Sequence, residues 1–198
     1  MASSVEICNM ALGELGVSEI QMVGEDSPQG KKCELYYERV VREVLRSHEW
    51  SFATVNLSLA RHAEEPPTDW VYRFDFPPDC ERVISVYVDG SSRSDVPIEY
   101  ELQLLDDKSG VTMLADTPDL CLRYVTSDIP SAMYDSMFLD AVVWRLAEKL
   151  AVPLTRKAEL RSNALQMYRV ALGSAIATDI NERHPGGKRV PEALKARN

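Results

Sequence analysis

The stretch SHEWSFATVNLSLA, Ser47–Ala60, decides how the chain is built. Upstream of it apolar residues recur at helical spacing. Within it they fall at every second position, the signature of a strand. Trp50 and Phe52 sit at the change of period. Two large aromatics there either fill an ordinary core or anchor a sheet inserted into a helical body. The flanking segments decide between these.

On the N-terminal side the sequence predicts two helices. The first runs over residues 4–15. Ser3 and Glu6 have capping-box spacing, Gly16 is placed as a stop, and Cys8, Ala11, Leu12 and Leu15 share one face. The second opens at Ser27-Pro28, a cap followed by proline at the first helical position, and runs to Ser47. Its inner stripe is Cys33, Tyr37, Val40, Val41, Val44 and His48, flanked by Tyr36 and Leu45.

Downstream the signals are those of strands. DWVYRFDF alternates, and Pro77-Pro78 makes the following PPDC a turn. RVISVYV is a β run with Val83, Ser85 and Tyr87 on one face and Ile84, Val86 and Val88 on the other. Asp89-Gly90 opens a polar loop. PIEYELQLL, GVTMLA and DLCLRYVT are three further strands with short turns between them, which implies an antiparallel sheet.

Helical spacing returns after Asp128. Met133, Met137, Phe138, Ala141, Trp144 and Leu150 form a broad apolar face that Pro153 ends. Thr155 caps a fourth helix to about Ile180, with Leu160, Ala164, Met167, Ala171, Leu172, Ala175 and Ile176 inward. The remainder, NERHPGGKRVPEALKARN, has the composition of an arm, with Pro191 able to start a short helix at PEALKAR. Helices on both sides of one sheet must meet to bury their stripes. The expected fold is therefore α+β: a four-helix body (1–52 and 127–181), an antiparallel β subdomain inserted between helices two and three (53–126), and a C-terminal arm (182–198). Trp50, Phe52, Trp70 and Trp144 are the expected structural anchors.

Composition narrows the chemistry. The chain has 198 residues and a formal charge of −9. Residues 181–198 carry five basic and two acidic side chains, so the first 180 carry −12. That balance does not suit a nucleic-acid clamp, which needs clustered Lys and Arg. It suits the wall of a passage that nucleic acid must slide through. No run of 18 apolar residues occurs, so no membrane partner is expected, and Met1–Gly13 does not have the form of a secretory signal. Cys8, Cys33, Cys80 and Cys121 lack the spacing of a zinc site and are expected to be free thiols. No phosphate loop, G-x-S-x-G or H-E-x-x-H is present. His48 and Glu49 are adjacent on a helix and point about 100° apart. Asp135 and Asp140 do not share a face. The sequence thus offers no catalytic residue, metal site or cofactor site.

The order of elements, and residues at particular places in it, resemble the tail tubular protein A family of tailed bacteriophages. A first block is Asn9, Ala11, Leu12, Leu15, Gly16, Asp26-Ser27, Cys33, Tyr37 and Trp50-Ser51-Phe52-Ala53. A second is Trp70, Tyr72, Phe76-Pro77-Pro78-Asp79-Cys80 and Arg82-Val83. A third is Pro118-Asp119-Leu120, Leu122, Arg123-Tyr124-Val125, Pro130, Tyr134, Phe138, Ala141, Arg145-Leu146-Ala147 and Leu154-Thr155. Where the family often has Ala early in helix two, this chain has Gly30. The resemblance implies a structural virion protein without catalytic residues. It would be a head-to-tail adaptor forming a twelve-subunit ring between the portal and the tail nozzle, around the DNA exit channel. On that expectation it is made in the host bacterial cytoplasm and resides in the virion. Arg183, Lys188, Arg189, Lys195 and Arg197 would form a basic arm that docks on the portal. Two other classes remain open from sequence: a small non-viral helical binding or regulatory module, and an enzyme using His48 or Cys80.

Overall fold

The computed structural model describes residues 2–67, 69–88 and 98–183. Helix α1 is Ser4–Glu14, with the capping box of Ser3 and Glu6 formed as expected. Gly16 follows at φ +64°, a left-handed position that suits glycine. Helix α2 is Pro28–Ser47, capped by the Ser27 hydroxyl, which accepts from the Gly30 N–H. A short 3-10 turn, Ser51–Ala53, leads into strand β1, Thr54–Ser58. Strands β2 (Tyr72–Asp75), β3 (Cys80–Val88), β4 (Glu101–Leu104), β5 (Val111–Ala115) and β6 (Leu120–Thr126) follow. Helix α3 is Ser136–Thr155 and helix α4 is Ala158–Arg183. The fold is α+β, with the β subdomain between α2 and α3.

The subdomain holds two sheets rather than one. Their strand orders are β1-β6-β3 and β2-β5-β4, all pairs antiparallel. Phe74, Met113 and Ala115 of the second sheet meet Leu120, Leu122 and Tyr124 of the first in one buried core. Local alternation identified the strands. It could not say which distant strand each would join.

The even alternation expected along β3 also fails. Register shifts between Cys80 and Arg82 and between Val83 and Ser85 put Val83 and Val86 against the core between the sheets, while Ile84 packs on the helical core. A bulge of this kind inserts an extra residue and changes which side chains face inward.

The helical core is built from Ile7, Leu12, Val40, Val44, Leu45, Trp50, Phe138, Leu146 and their neighbours, all buried. Leu45, expected only to flank the α2 stripe, is fully buried. Pro153 does not end α3. It lies in the last turn, where its missing N–H costs only one hydrogen bond near the helix end. The helix runs two residues further and stops at Arg156, at φ +59°. Thr155 is the last residue of α3 rather than the cap of α4, and its hydroxyl donates to the Ala151 carbonyl at 2.6 Å. Met133, expected on the α3 face, is in a separate 3-10 turn and is exposed. The polar loop expected at 89–90 lies outside the described residues.

Candidate interaction site

The junction between helical body and β subdomain gathers a stack of aromatic rings and several buried polar groups. Trp50 ends the α2 connection with 1% of its surface exposed. Its ring meets Phe138 of α3 edge-on at 5.1 Å and His48 at 5.0 Å. Phe52 joins the same stack, 5.0 Å from Phe138 and 6.3 Å from Tyr134. The indole N–H donates to the Val44 carbonyl at 3.0 Å, satisfying an acceptor in the last turn of α2. The aromatics of the opening stretch therefore pack at the join between insert and body.

A polar cluster secures the same place from α4. One Asp179 carboxylate oxygen lies 2.9 Å from His48 Nε2, and the other accepts the Ser51 N–H at 2.8 Å. Arg183 Nε donates to Ser51 Oγ at 2.7 Å and lies 3.0 Å from Asp179. Arg183 also pairs with Glu49 at 3.6 Å. Burial opposes ionisation of Asp179, but the donors at Ser51 and His48 outweigh it and hold the carboxyl below its ordinary range.

A second clasp joins α2 to β3. Arg42 donates to Glu81 at 2.6 Å, and Arg46 donates to the Glu81 backbone carbonyl at 2.9 Å. In the PPDC turn, Asp79 accepts from the Tyr124 hydroxyl at 3.1 Å and from the Thr126 hydroxyl, pinning the end of β6. Burial, then the Asp79 charge, pushes the Tyr124 phenol up to about 12. The same two causes push the Cys80 thiol up to about 11.

Beside the second clasp and the PPDC turn lies an open cleft of about 630 Å³, lined by Tyr37, Glu38, Arg42, Asp79, Asp128 and Tyr134 among others. Glu38 and Asp128 form no ion pair among the described residues. The cleft presents carboxylates, hydroxyls and two phenols, groups suited to holding a polar or cationic surface. His48 is outside it, engaged with Asp179. A thiol raised as Cys80's is remains protonated at neutral pH and is a poor nucleophile. Cys8, Cys33, Cys80 and Cys121 are all free, and no cluster of His, Cys, Asp or Glu able to hold a metal ion occurs among the described residues.

Of the expected anchors, Trp50 is central and Phe52 and Trp144 pack against the helical core. Trp70 does not act as an anchor: it is half-buried and belongs to neither core. Strand β2 begins only at Tyr72, so Trp70 precedes the sheet. Arg183, expected in the arm, is the last residue of α4 and is tied to Asp179, Glu49 and Ser51. Lys188, Arg189, Lys195 and Arg197 lie outside the described residues. Asp179 and Glu148 are not among the site residues that the sequence singles out. Each is an acid on an otherwise apolar helical stripe, which was the available signal. Glu148, 3% exposed, is held by Arg161 at 2.8 Å, Arg145 at 3.4 Å and Lys149 at 3.6 Å.

No helix among the described residues is long and apolar enough to cross a membrane. No family model matches the chain, and no curated protein matches it.

Proposed function

We propose that this chain is a structural virion protein, a head-to-tail adaptor. In this reading copies form a ring, of twelve as the family resemblance implies, between the portal and the tail nozzle, around the path of the DNA. The observation that carries the reading is where the resembling residues lie. Asn9 clamps the α1–α2 connection through two hydrogen bonds to Ile20, Trp50 and Phe138 form the junction stack, and Asp79 pins β6. These are positions that set the path of the chain, which a shared architecture would preserve and a chance likeness would scatter. The acidic balance of residues 1–180 supports a conduit wall that repels DNA, with screening over about 8 Å at physiological salt. The helical bodies would pack side by side, since a ring repeats one heterologous contact until it closes. The β subdomain would reach neighbouring copies or the nozzle, and the basic segment after Arg183 would dock on the portal. The protein would be made in the bacterial cytoplasm and act in the virion.

Electron microscopy of the native particle tests this directly. The expected result places the chain as a ring between portal and nozzle, with an acidic surface toward the channel. A particle without the chain, or a neutral or basic channel, refutes it. The open cleft favours one other reading, a small non-viral helical binding or regulatory module without catalytic activity. That reading requires a monomer or dimer, so the mass of the assembled protein separates the two.

A further inference from the structure

The margin of the second sheet shows an arrangement that none of the preceding functions uses. In the order β2-β5-β4, the β2 margin is covered. Asp75 N–H donates to the Ala60 carbonyl at 2.9 Å and His62 N–H to the Arg73 carbonyl at 2.9 Å. The β4 margin has no pairing strand among the described residues.

The backbone of β4 has a definite phase. Leu105 N–H donates to the Gly110 carbonyl at 2.9 Å, so this is a hydrogen-bonded pair. Antiparallel ladders alternate, which directs the bonding groups of Gln103 and Glu101 toward β5 and turns those of Leu104 and Leu102 outward. These two residues also place their side chains on the face of their partners Val111 and Met113. Met113 is fully buried in the core between the sheets, whereas Leu102 is 44% and Leu104 54% exposed. Tyr100 and Val111 are exposed beside them. Outward hydrogen-bonding groups and an unfinished margin of the core thus coincide in the same residues.

We propose that β4 receives an extended segment of a partner protein, in which apolar residues alternate with lysine or arginine, as an added strand. The apolar residues would complete the core margin over Leu102 and Leu104. The basic residues would meet Glu99 and Glu101, which are exposed and form no ion pair among the described residues. Their charge also selects against a second copy of this chain, because β4 paired with itself brings these carboxylates together. A strand of four residues offers too little area for a stable globular interface, so the occupant is a linear segment. The inference does not depend on the adaptor reading, and its test uses the isolated chain.

The test is hydrogen exchange on the full chain with two synthetic hexapeptides, one alternating lysine with valine and one alternating glutamate with valine. With the basic peptide at ten times its Kd, the Leu102 and Leu104 amides slow about tenfold while Gln103, already bonded to β5, is unchanged. The acidic peptide gives no protection, and the Glu99→Lys/Glu101→Lys variant reverses the preference. Leu104→Pro removes an outward N–H without touching the β5 ladder, so the chain folds and the peptide no longer binds. Three results would overturn the proposal: no protection of these two amides, protection by both peptides alike, or protection without peptide that grows with protein concentration.

Discussion

Replacement of Trp50 by alanine tests the junction most severely. The side chain is buried, touches Phe52, Phe138 and His48, and its N–H holds the Val44 carbonyl. Truncation of such a residue costs about 3–5 kcal/mol, from lost transfer free energy and the cavity left behind. Domains of ordinary stability have about 5–15 kcal/mol in all. With a urea slope of about 2 kcal/mol/M, the midpoint should fall by about 1.5–2.5 M. Trp50→Phe separates the ring from its donor. It keeps most of the stack and leaves Val44 with the Ser47 hydroxyl as its other partner at 2.6 Å, so the hydrogen-bond loss is about 1 kcal/mol. Equilibrium urea unfolding followed by far-UV circular dichroism measures both variants. A midpoint for Trp50→Ala within about 0.5 M of the parent would refute the anchoring argument, since at that slope it corresponds to only about 1 kcal/mol.

Three further outcomes follow from other places in the fold. Asp179 has its folded pKa below the unfolded value of about 3.9, so its stabilisation is present above that pH and is lost as pH falls through the folded value. The difference in Tm between parent and Asp179→Asn should therefore be widest near neutrality and close below about pH 4. Glu148→Gln removes the buried carboxylate that Arg161 and Lys149 share, but Arg161 is largely exposed and Arg145 keeps Glu43, so the cost should be about 1–2 kcal/mol by denaturant titration. Gly30→Ala should destabilise although alanine is the better helix former by up to about 1 kcal/mol. An added Cβ would lie 2.5 Å from Glu25 Cγ and 2.7 Å from the Glu25 carbonyl oxygen, so backbone must move. A rise in Tm for this variant would show that the α1–α2 connection yields easily.

The same Gly30 shows where sequence is legible and where it is not. Its position early in α2 was plain from Ser27-Pro28, but its reason lies in the connection folding back so that Glu25 covers it, a contact that only the folded path creates. Capping boxes, proline starts and alternation depend on residues within a few positions of one another, and all those elements were found. The partition into two sheets depends on β1 pairing with β6 and β2 with β5, across tens of residues. The bulges in β3 likewise depend on its partner. The junction was readable through Trp50 and Phe52 because large aromatics at a change of period have few other uses. Its polar half was not, because Asp179 reaches His48 and Ser51 from the opposite end of the chain. Trp70 differs for the opposite reason: size alone suggests an anchor, yet it precedes strand β2 and belongs to neither core.

The first and last strands of the insert are direct neighbours, with Thr54 opposite Val125. The chain therefore enters and leaves the insert through a stalk of two feet, about 5 Å apart. A pull along the stalk draws both feet the same way and shears no hydrogen bond between them. The load passes instead into Trp50, Ala53 and Val125, which are rooted in the helical core. A sideways push is resisted by the packing of Ile84 on the helical core and by Arg46 on the Glu81 carbonyl, with the largely exposed Arg42–Glu81 pair adding little. Tension thus enters the body through buried apolar side chains, and β3 acts as a lateral brace.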